Sequence, residues 1–297
     1  MRRIKVGAVC LYLAAALATC IYLGIPLVPD RLIAIFLPLV LLLRRLRAFI
    51  RDWLPFLVIL FSYEFLRGLA GAMTARANLT AMLNFDGGVF GAVPTEWLQQ
   101  RFFDAGRLHW WDYAATLVYF LHFVAPMVFG LALWLTREDR FRRFAAGLLA
   151  LSAFGLATYV VFPAAPPWMA AQRGLLHVQQ VLQFTLHAFP DRVQLPTVYA
   201  MFDSDEVAAV PSLHAGYSLL IALFAVRFFG RRAIPGLLYP IAMSASVVYM
   251  GEHYVGDVLL GGLYALAAFA VTEWAFARFA STSFRRWTPA WARALTG

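Results

Sequence analysis

Residues 210–229 read VPSLHAGYSLLIALFAVRFF, in which Pro211, Ser212 and His214 head an apolar run that lasts to Arg227. A second run, 255–277, is headed by Glu252-His253-Tyr254-Val255-Gly256-Asp257. A helix needs about 20 residues to cross a hydrocarbon core, and both runs reach that length. Neither alternates apolar and polar residues as a barrel strand does, and only helices and closed barrels satisfy their backbone groups in lipid. Both runs therefore predict membrane helices, each with a histidine motif at its head.

Similar runs recur outward from this pair. Expected spans are 6–28, 32–43, 53–71, 112–135, 144–162, 210–229, 233–250 and 255–277. The second has the length of a re-entrant or interfacial segment rather than a full crossing. Composition agrees with the reading: 62% of the 297 residues are hydrophobic and 14% charged, with mean hydropathy +0.70, far from the balance of a soluble domain. The first run follows Arg2, Arg3 and Lys5, as in a signal peptide, but it lacks a small-x-small cleavage site and more apolar sequence follows, so it reads as a retained anchor.

Basic residues set the orientation. Alternate span ends collect Arg2/Arg3/Lys5, Arg44/Arg45/Arg47/Arg51, Arg137/Arg140/Arg142/Arg143, Arg227/Arg231/Arg232 and Arg278/Arg285/Arg286/Arg293, together 18 of the 25 basic residues. The positive-inside rule puts that side, with both termini, in the cytoplasm. Removing the short second span would reverse the first anchor and leave the later clusters as they are. The net charge of +9 is then topology, and without an aromatic platform between these arginines no nucleic-acid partner is implied. The connections 72–111 and 163–209, and both histidine motifs, fall on the extracytoplasmic side.

No internal repeat, low-complexity tract or soluble-domain boundary divides the chain. It reads as one membrane-embedded domain, 1–297, with N-terminal helices in 1–71, an interfacial segment at 72–111, a core at 112–279 and a cytoplasmic tail at 280–297. Cys10 and Cys20 lie in one helix, about 15 Å apart along its axis, too far to form a disulfide.

His253 and Asp257, at i and i+4, share a helix face. A carboxylate there can hold one imidazole nitrogen while the other meets a substrate; an interfacial pair that caps a helix is the alternative. His214 adds to the first reading. It follows Pro211 and Ser212, residue types of helix N-termini, and such an end offers free N–H groups and partial positive charge to a phosphate. Together these parts suit phosphoryl transfer, with His253 attacking phosphorus and His214 protonating the leaving oxygen.

Pro-Ser-Leu-His-Ala-Gly at 211–216, followed by His-Tyr-Val-Gly-Asp at 253–257, resembles the second and third signatures of the phosphatidic acid phosphatase type 2 superfamily. Within it, the sequence is most similar to the inositol phosphorylceramide synthase (aureobasidin-resistance) branch. Phe162-Pro163-Ala164-Ala165-Pro166-Pro167-Trp168-Met169 also resembles a loop of bacterial members of that branch. The likeness covers roughly 110–279, and the N-terminal third loosely. It implies a six-helix phosphatase-type core and a metal-independent, cofactor-free mechanism through a phosphohistidine. His253 would be the nucleophile, Asp257 its orienting carboxylate and His214 the general acid; Ser212, Gly216 and Ser246 would line the phosphate site.

Two departures from the superfamily pattern bear on the reaction. The first signature, a lysine with an arginine-proline pair seven residues on, is absent, and Lys5 is the only lysine. Where a Ser-Arg pair precedes the third-signature histidine, this chain has Ser246 and Val247. The synthase branches lack these cations too, which favours headgroup transfer over plain hydrolysis. Glu64 and Arg67, at i and i+3 near the outer end of the third span, are costly there without a purpose. Arg67 either replaces part of the lost cation set or is a paired charge that snorkels to the interface.

Other polar residues allow two readings each. His122, mid-span, is an interhelical hydrogen-bond former or a neighbour of the active site. His109, His177 and His187 read as solvated. Asp203, Asp205 and Glu206 would stabilise the charged form of His214, as a general acid requires, or form a solvated loop; with the histidines they also permit a metal site. The stretch from Gly87-Gly88 to Trp97-Leu98 reads as an interfacial or re-entrant helix, and Trp110, Trp111 and Trp168 as aromatic-belt residues. Arginine in excess of lysine, with abundant Ala, Gly and Leu, fits a bacterial plasma-membrane protein.

The expected fold is therefore all-α and polytopic, with about eight transmembrane helices. The expected activity is transfer of a phosphorylated headgroup from a membrane lipid donor to a hydroxyl acceptor, with a lipid phosphate phosphatase as the alternative. A transporter would show broken mid-membrane helices and internal symmetry, and neither is found.

Overall fold

A computed structural model describes residues 6–23, 29–70, 76–188 and 207–286. Among these residues twelve α-helices run in order: α1 (Val6–Tyr22), α2 (Pro29–Leu42), α3 (Leu46–Ala70), α4 (Ala81–Phe90), α5 (Pro94–Phe102), α6 (Trp110–Thr136), α7 (Glu138–Val161), α8 (Pro167–Gln172), α9 (Val181–Ala188), α10 (Leu213–Phe229), α11 (Leu238–Tyr249) and α12 (Val255–Arg286), with a 3-10 helix at Gly230–Leu237. No strand occurs among the described residues, only isolated bridges joining Asn78, Ala164 and Ala208. Each of the eight apolar runs overlaps a helix. Among the described residues, four stretches are long and apolar enough to cross a membrane: Trp110–Thr136, Glu138–Val161, Leu213–Tyr249 and Val255–Arg278. The third is doubled back by the 3-10 turn into α10 and α11. At 14 residues, α2 is short of a full crossing.

Local chemistry sets the helix ends. His109 N–H donates to Asp112 Oδ2 at 2.6 Å, the reciprocal cap that starts α6. Glu138 and Asp139 open α7, where acidic side chains meet the positive helix end. Gly230, at φ +65°, ends α10. The interfacial reading of 87–98 is resolved into two helices, α4 and α5, separated by the left-handed Gly91.

Trp53 of α3 anchors the main core, stacked on Phe141 of α7 at 4.8 Å and on Phe49 at 5.3 Å. Below it, Asp52 accepts hydrogen bonds from Arg51, Arg142 and Trp134 Nε1. Arg45 and Arg51 both reach Glu138, at 2.5 and 2.8 Å, while Arg143 and Arg227 share Glu273. Three of the basic clusters thus gather at one end of the bundle. His214 lies 13 residues before Arg227 on α10, about 20 Å away along the axis, so the histidines occupy the other end.

Candidate active site

The loop that carries His253 is built from the end of α11. Val247 carbonyl accepts the N–H groups of both Glu252 and His253, at 3.0 and 3.1 Å, which wraps the chain tightly past the helix end. Gly251 turns there with φ +81°, and a Cβ would sit 2.8 Å from the Gln179 carbonyl, so the turn requires glycine. The proline-rich segment and the start of α9 seat this loop: Trp168 N–H donates to Gly251 carbonyl at 3.1 Å and Val181 N–H to Met250 carbonyl at 3.2 Å.

Helix α12 begins only at Val255, so His253 stands before the helix rather than on its face. Asp257, third in the helix, reaches back: its Oδ2 accepts Tyr254 N–H at 2.8 Å and lies 3.4 Å from His253 Nδ1. The H-x-x-x-D spacing is thus both a helix cap and an imidazole holder, since a carboxylate at that position naturally points at the N-cap backbone. Capping and the carboxylate–imidazole pairing are here one geometry.

His214 enters from α10. Ser212 Oγ caps this helix by accepting Ala215 N–H at 3.4 Å, and Tyr159 hydroxyl of α7 holds Pro211 carbonyl at 2.9 Å. Ser212 N–H donates to Asp257 carbonyl at 3.0 Å, which ties the two motifs backbone to backbone. His214 Nδ1 and His253 Nε2 are 3.2 Å apart. His253 is 5% exposed and Asp257 fully buried. With Nδ1–H given to Asp257, His253 Nε2 keeps its lone pair and accepts from His214.

Aromatic rings complete the wall. Tyr119 stacks on His214 at 4.6 Å, and His122 lies 4.1 Å from His214 and 5.1 Å from Tyr217. Tyr217 hydroxyl in turn meets Ser152 Oγ at 2.5 Å. His122 is therefore a neighbour of the site, the second of its two readings. The Tyr254 hydroxyl and Asp257 Oδ1 are buried without a hydrogen-bond partner among the described residues. Burial, and then the carboxylates of Asp257 and Asp86, push the Tyr254 hydroxyl well above its usual range, so it stays protonated.

The remaining expected site residues are placed as follows. Gly216 lies one turn into α10, where a Cβ would meet Leu151 at 3.2 Å and Gly261 carbonyl at 3.3 Å, a position that serves helix packing. Ser246 is buried on α11, and its carbonyl holds Met250 N–H at 2.9 Å. Glu64 and Arg67 fall in the last turns of α3, and their side chains lie outside the described residues, as do Asp203, Asp205 and Glu206. Among the described residues no group of His, Cys, Asp or Glu is arranged to hold a metal. Trp168 is buried against Ala165, Met169 and Val207 rather than belonging to an interfacial belt, and His109 stacks on Trp111 at 4.4 Å rather than standing in solvent.

Sequence reasoning missed a set of buried polar groups behind the histidine loop. Asp86 caps α12, Gln99 Nε2 donates to Tyr249 and Gln179 carbonyls at 2.8 and 2.9 Å, and Gln180 Nε2 donates to Glu252 Oε1 at 3.1 Å. Their one sequence signal is polarity inside a segment otherwise suited to a membrane interface.

Fold and site define an integral membrane protein with an oriented histidine pair at one end of its helical bundle. The family model of the PAP2 superfamily matches residues 81–271, and the chain belongs to that superfamily. It is 27% identical over 232 residues to a phosphoinositol dihydroceramide synthase of Bacteroides thetaiotaomicron, covering 74% of this chain and 75% of that protein. It is 26% identical over 176 residues to the inositol phosphorylceramide synthase of Candida albicans, covering 56% of this chain and 36% of that one. With the inositol phosphorylceramide synthase catalytic subunit of Saccharomyces cerevisiae it shares 30% identity over 148 residues, 46% of this chain and 36% of that one. The chain thus spans little more than a third of these fungal relatives. No solved structure matches it.

Proposed function

We propose that the protein is a lipid phosphotransferase that moves a phosphorylated headgroup from a lipid-linked donor to a hydroxyl acceptor through a phosphohistidine on His253. The observation that carries this reading is the His214 Nδ1–His253 Nε2 pair at 3.2 Å, with Asp257 behind it. The synthase names of the relatives supply the reaction class.

Donor phosphate replaces the hydrogen bond between the two histidines. His253 Nε2 attacks phosphorus, a P–N bond forms, and the P–O bond to the leaving alcohol breaks. His214, as imidazolium, gives its Nδ1 proton to that oxygen. Asp257 stabilises the positive charge on the phosphorylated ring. Neutral His214 then takes the proton of the acceptor hydroxyl, whose oxygen attacks phosphorus and frees His253. The N-terminus of α12 already holds Asp86, and Ser212 N–H is given to the Asp257 carbonyl, which leaves the first turn of α10, from Leu213, as the helix end for phosphate oxygens. The gathering of basic clusters at the far end of the bundle supports an extracytoplasmic site, with both termini in the cytoplasm.

Arg67 is our candidate for the missing phosphate cation. Arg67→Ala is expected to lower kcat/KM by about tenfold to a hundredfold, the scale of one charged hydrogen bond. Steady-state kinetics on the folded variant check this, and full wild-type turnover would end the assignment.

The reading as a whole is tested by product analysis of the purified protein in detergent. Labelled phospholipid and lipid-phosphate donors are offered with and without ceramide, diacylglycerol or inositol-type acceptors, with EDTA throughout. A labelled product that requires the acceptor is expected. Free phosphate without acceptor would make the enzyme a lipid phosphate phosphatase with the same residues, and no product at all would remove the enzyme reading and leave a transporter.

A further inference from the structure

We propose that Asp86, on the interfacial helix α4, is a positioning residue for the nucleophile, gripping the first turn of α12 and so fixing the Asp257–His253 pair. The inference rests on the phosphotransferase reading only in the choice of His253 as the reacting group.

Asp86 is fully buried, and both of its oxygens are engaged: Oδ2 accepts Val255 N–H and Oδ1 accepts Gly256 N–H, each at 2.9 Å. The first N–H groups of a helix have no partner within it, and a side chain just before the helix normally supplies one. Tyr254 stands at that place and has no acceptor that can turn back onto its own backbone. The cap therefore comes from 169 residues away in sequence. The two gripped amides lie between His253 and Asp257, so any slack in them alters the distance from carboxylate to imidazole.

The fit between the two helices is close. A Cβ on Gly256 would lie 2.8 Å from Phe85 Cδ1 and 2.9 Å from Met82 Sδ, so α4 sits flush on this turn. The same hairpin holds the other side of the loop, since Thr95 Oγ1 donates to His253 carbonyl at 3.5 Å and Gln99 to Tyr249 carbonyl at 2.8 Å. Burial pushes the Asp86 carboxyl above its usual range, while the two amides pull it back. Two successive N–H groups need two acceptors on one rigid plane. A carboxylate provides that, whereas an asparagine offers one acceptor and turns a donor toward the other amide.

The test compares Asp86→Ala and Asp86→Asn in the full-length protein. Readouts are kcat and KM separately, the rate of His253 labelling in a single turnover without acceptor, and hydrogen exchange of the 253–257 amides. Asp86→Ala is expected to lower kcat and the labelling rate about a hundredfold, the effect of an ångström-scale misplacement, with KM within about twofold and faster exchange at Val255 and Gly256. Asp86→Asn should recover part of the rate. If Asp86→Ala fails to fold, Asp86→Asn and Gly256→Ala carry the same test, because Gly256→Ala presses the same contact apart. Wild-type kcat per folded molecule, or unchanged exchange at these amides, overturns the proposal. A wild type that makes no phosphorylated product overturns the phosphotransferase reading instead, and the exchange result still decides whether Asp86 holds the turn.

Discussion

His253→Ala, folded as the wild type, is expected to lose turnover by a factor on the order of 10⁵ and to retain no label from the donor, since it lacks the atom that bonds phosphorus. His214→Ala separates the two histidines. With a lipid alcohol as leaving group it should fall about 10²- to 10⁴-fold, the range of general acid catalysis. With a nitrophenyl leaving group, which needs no proton, labelling of His253 should persist near the wild-type rate. Acid-labile, base-stable protein-bound label, measured by single turnover with each donor, checks both statements. Label retained by His253→Ala but lost from His214→Ala would reverse the roles. The geometry argues for the assignment given: Asp257 stands behind His253, 3.4 Å from Nδ1, and it is the imidazole that becomes cationic on phosphorylation that needs a carboxylate.

Much of this site was legible because its pieces are local. Pro211 and Ser212 announce a helix start, and Ser212 does cap α10. His253 and Asp257 announce a pair, and they are paired. Even the mid-span His122 stood out, because a polar ring in an apolar run must answer to something. Where the histidine sits relative to its helix was misread, because an i, i+4 spacing looks the same on a helix face and across a helix start. The hydrogen bonds decide between them, with Tyr254 N–H given to the Asp257 side chain rather than to a preceding turn.

The fold was legible to the extent that apolar runs are, which is why every expected span overlaps a helix, although 233–250 opens in the 3-10 turn and 6–28 runs beyond the described end of α1. What held the site together was not. Asp86, Thr95 and Gln99 act across separations of about 150 to 170 residues, and no local pattern encodes which loop a buried carboxylate will meet. Trp168 shows the same limit. A tryptophan in a connection between spans reads as interfacial, yet this one is buried and its backbone N–H seats Gly251. The family match starts at residue 81, so it takes in the α4–α5 hairpin that the motif resemblance covered only loosely.

The contact that sets the distance between the two histidines is tested by a pair of adjacent glycines. A Cβ on Gly261 would lie 2.1 Å from Ser212 carbonyl oxygen and 3.0 Å from its carbon, both backbone atoms of the turn that starts α10. Backbone cannot swing aside as a side chain does, so α10 and α12 must separate by about an ångström, an overpacking that costs about 3 kcal/mol or more. That motion pulls directly on the Ser212 N–H to Asp257 carbonyl bond at 3.0 Å and on the 3.2 Å histidine pair. Gly261→Ala is therefore expected to lower the melting temperature in detergent by several degrees and turnover by at least about a hundredfold. Gly262 stands one residue on, and its nearest neighbour to a new Cβ is Leu219 Cδ2 at 3.7 Å, ordinary contact. Gly262→Ala should be neutral or slightly stabilising, because alanine is the better helix former. Wild-type melting and turnover in Gly261→Ala would mean that the two helices do not meet backbone to backbone. The close approach of His214 to His253 depends on that contact and would have to be abandoned with it.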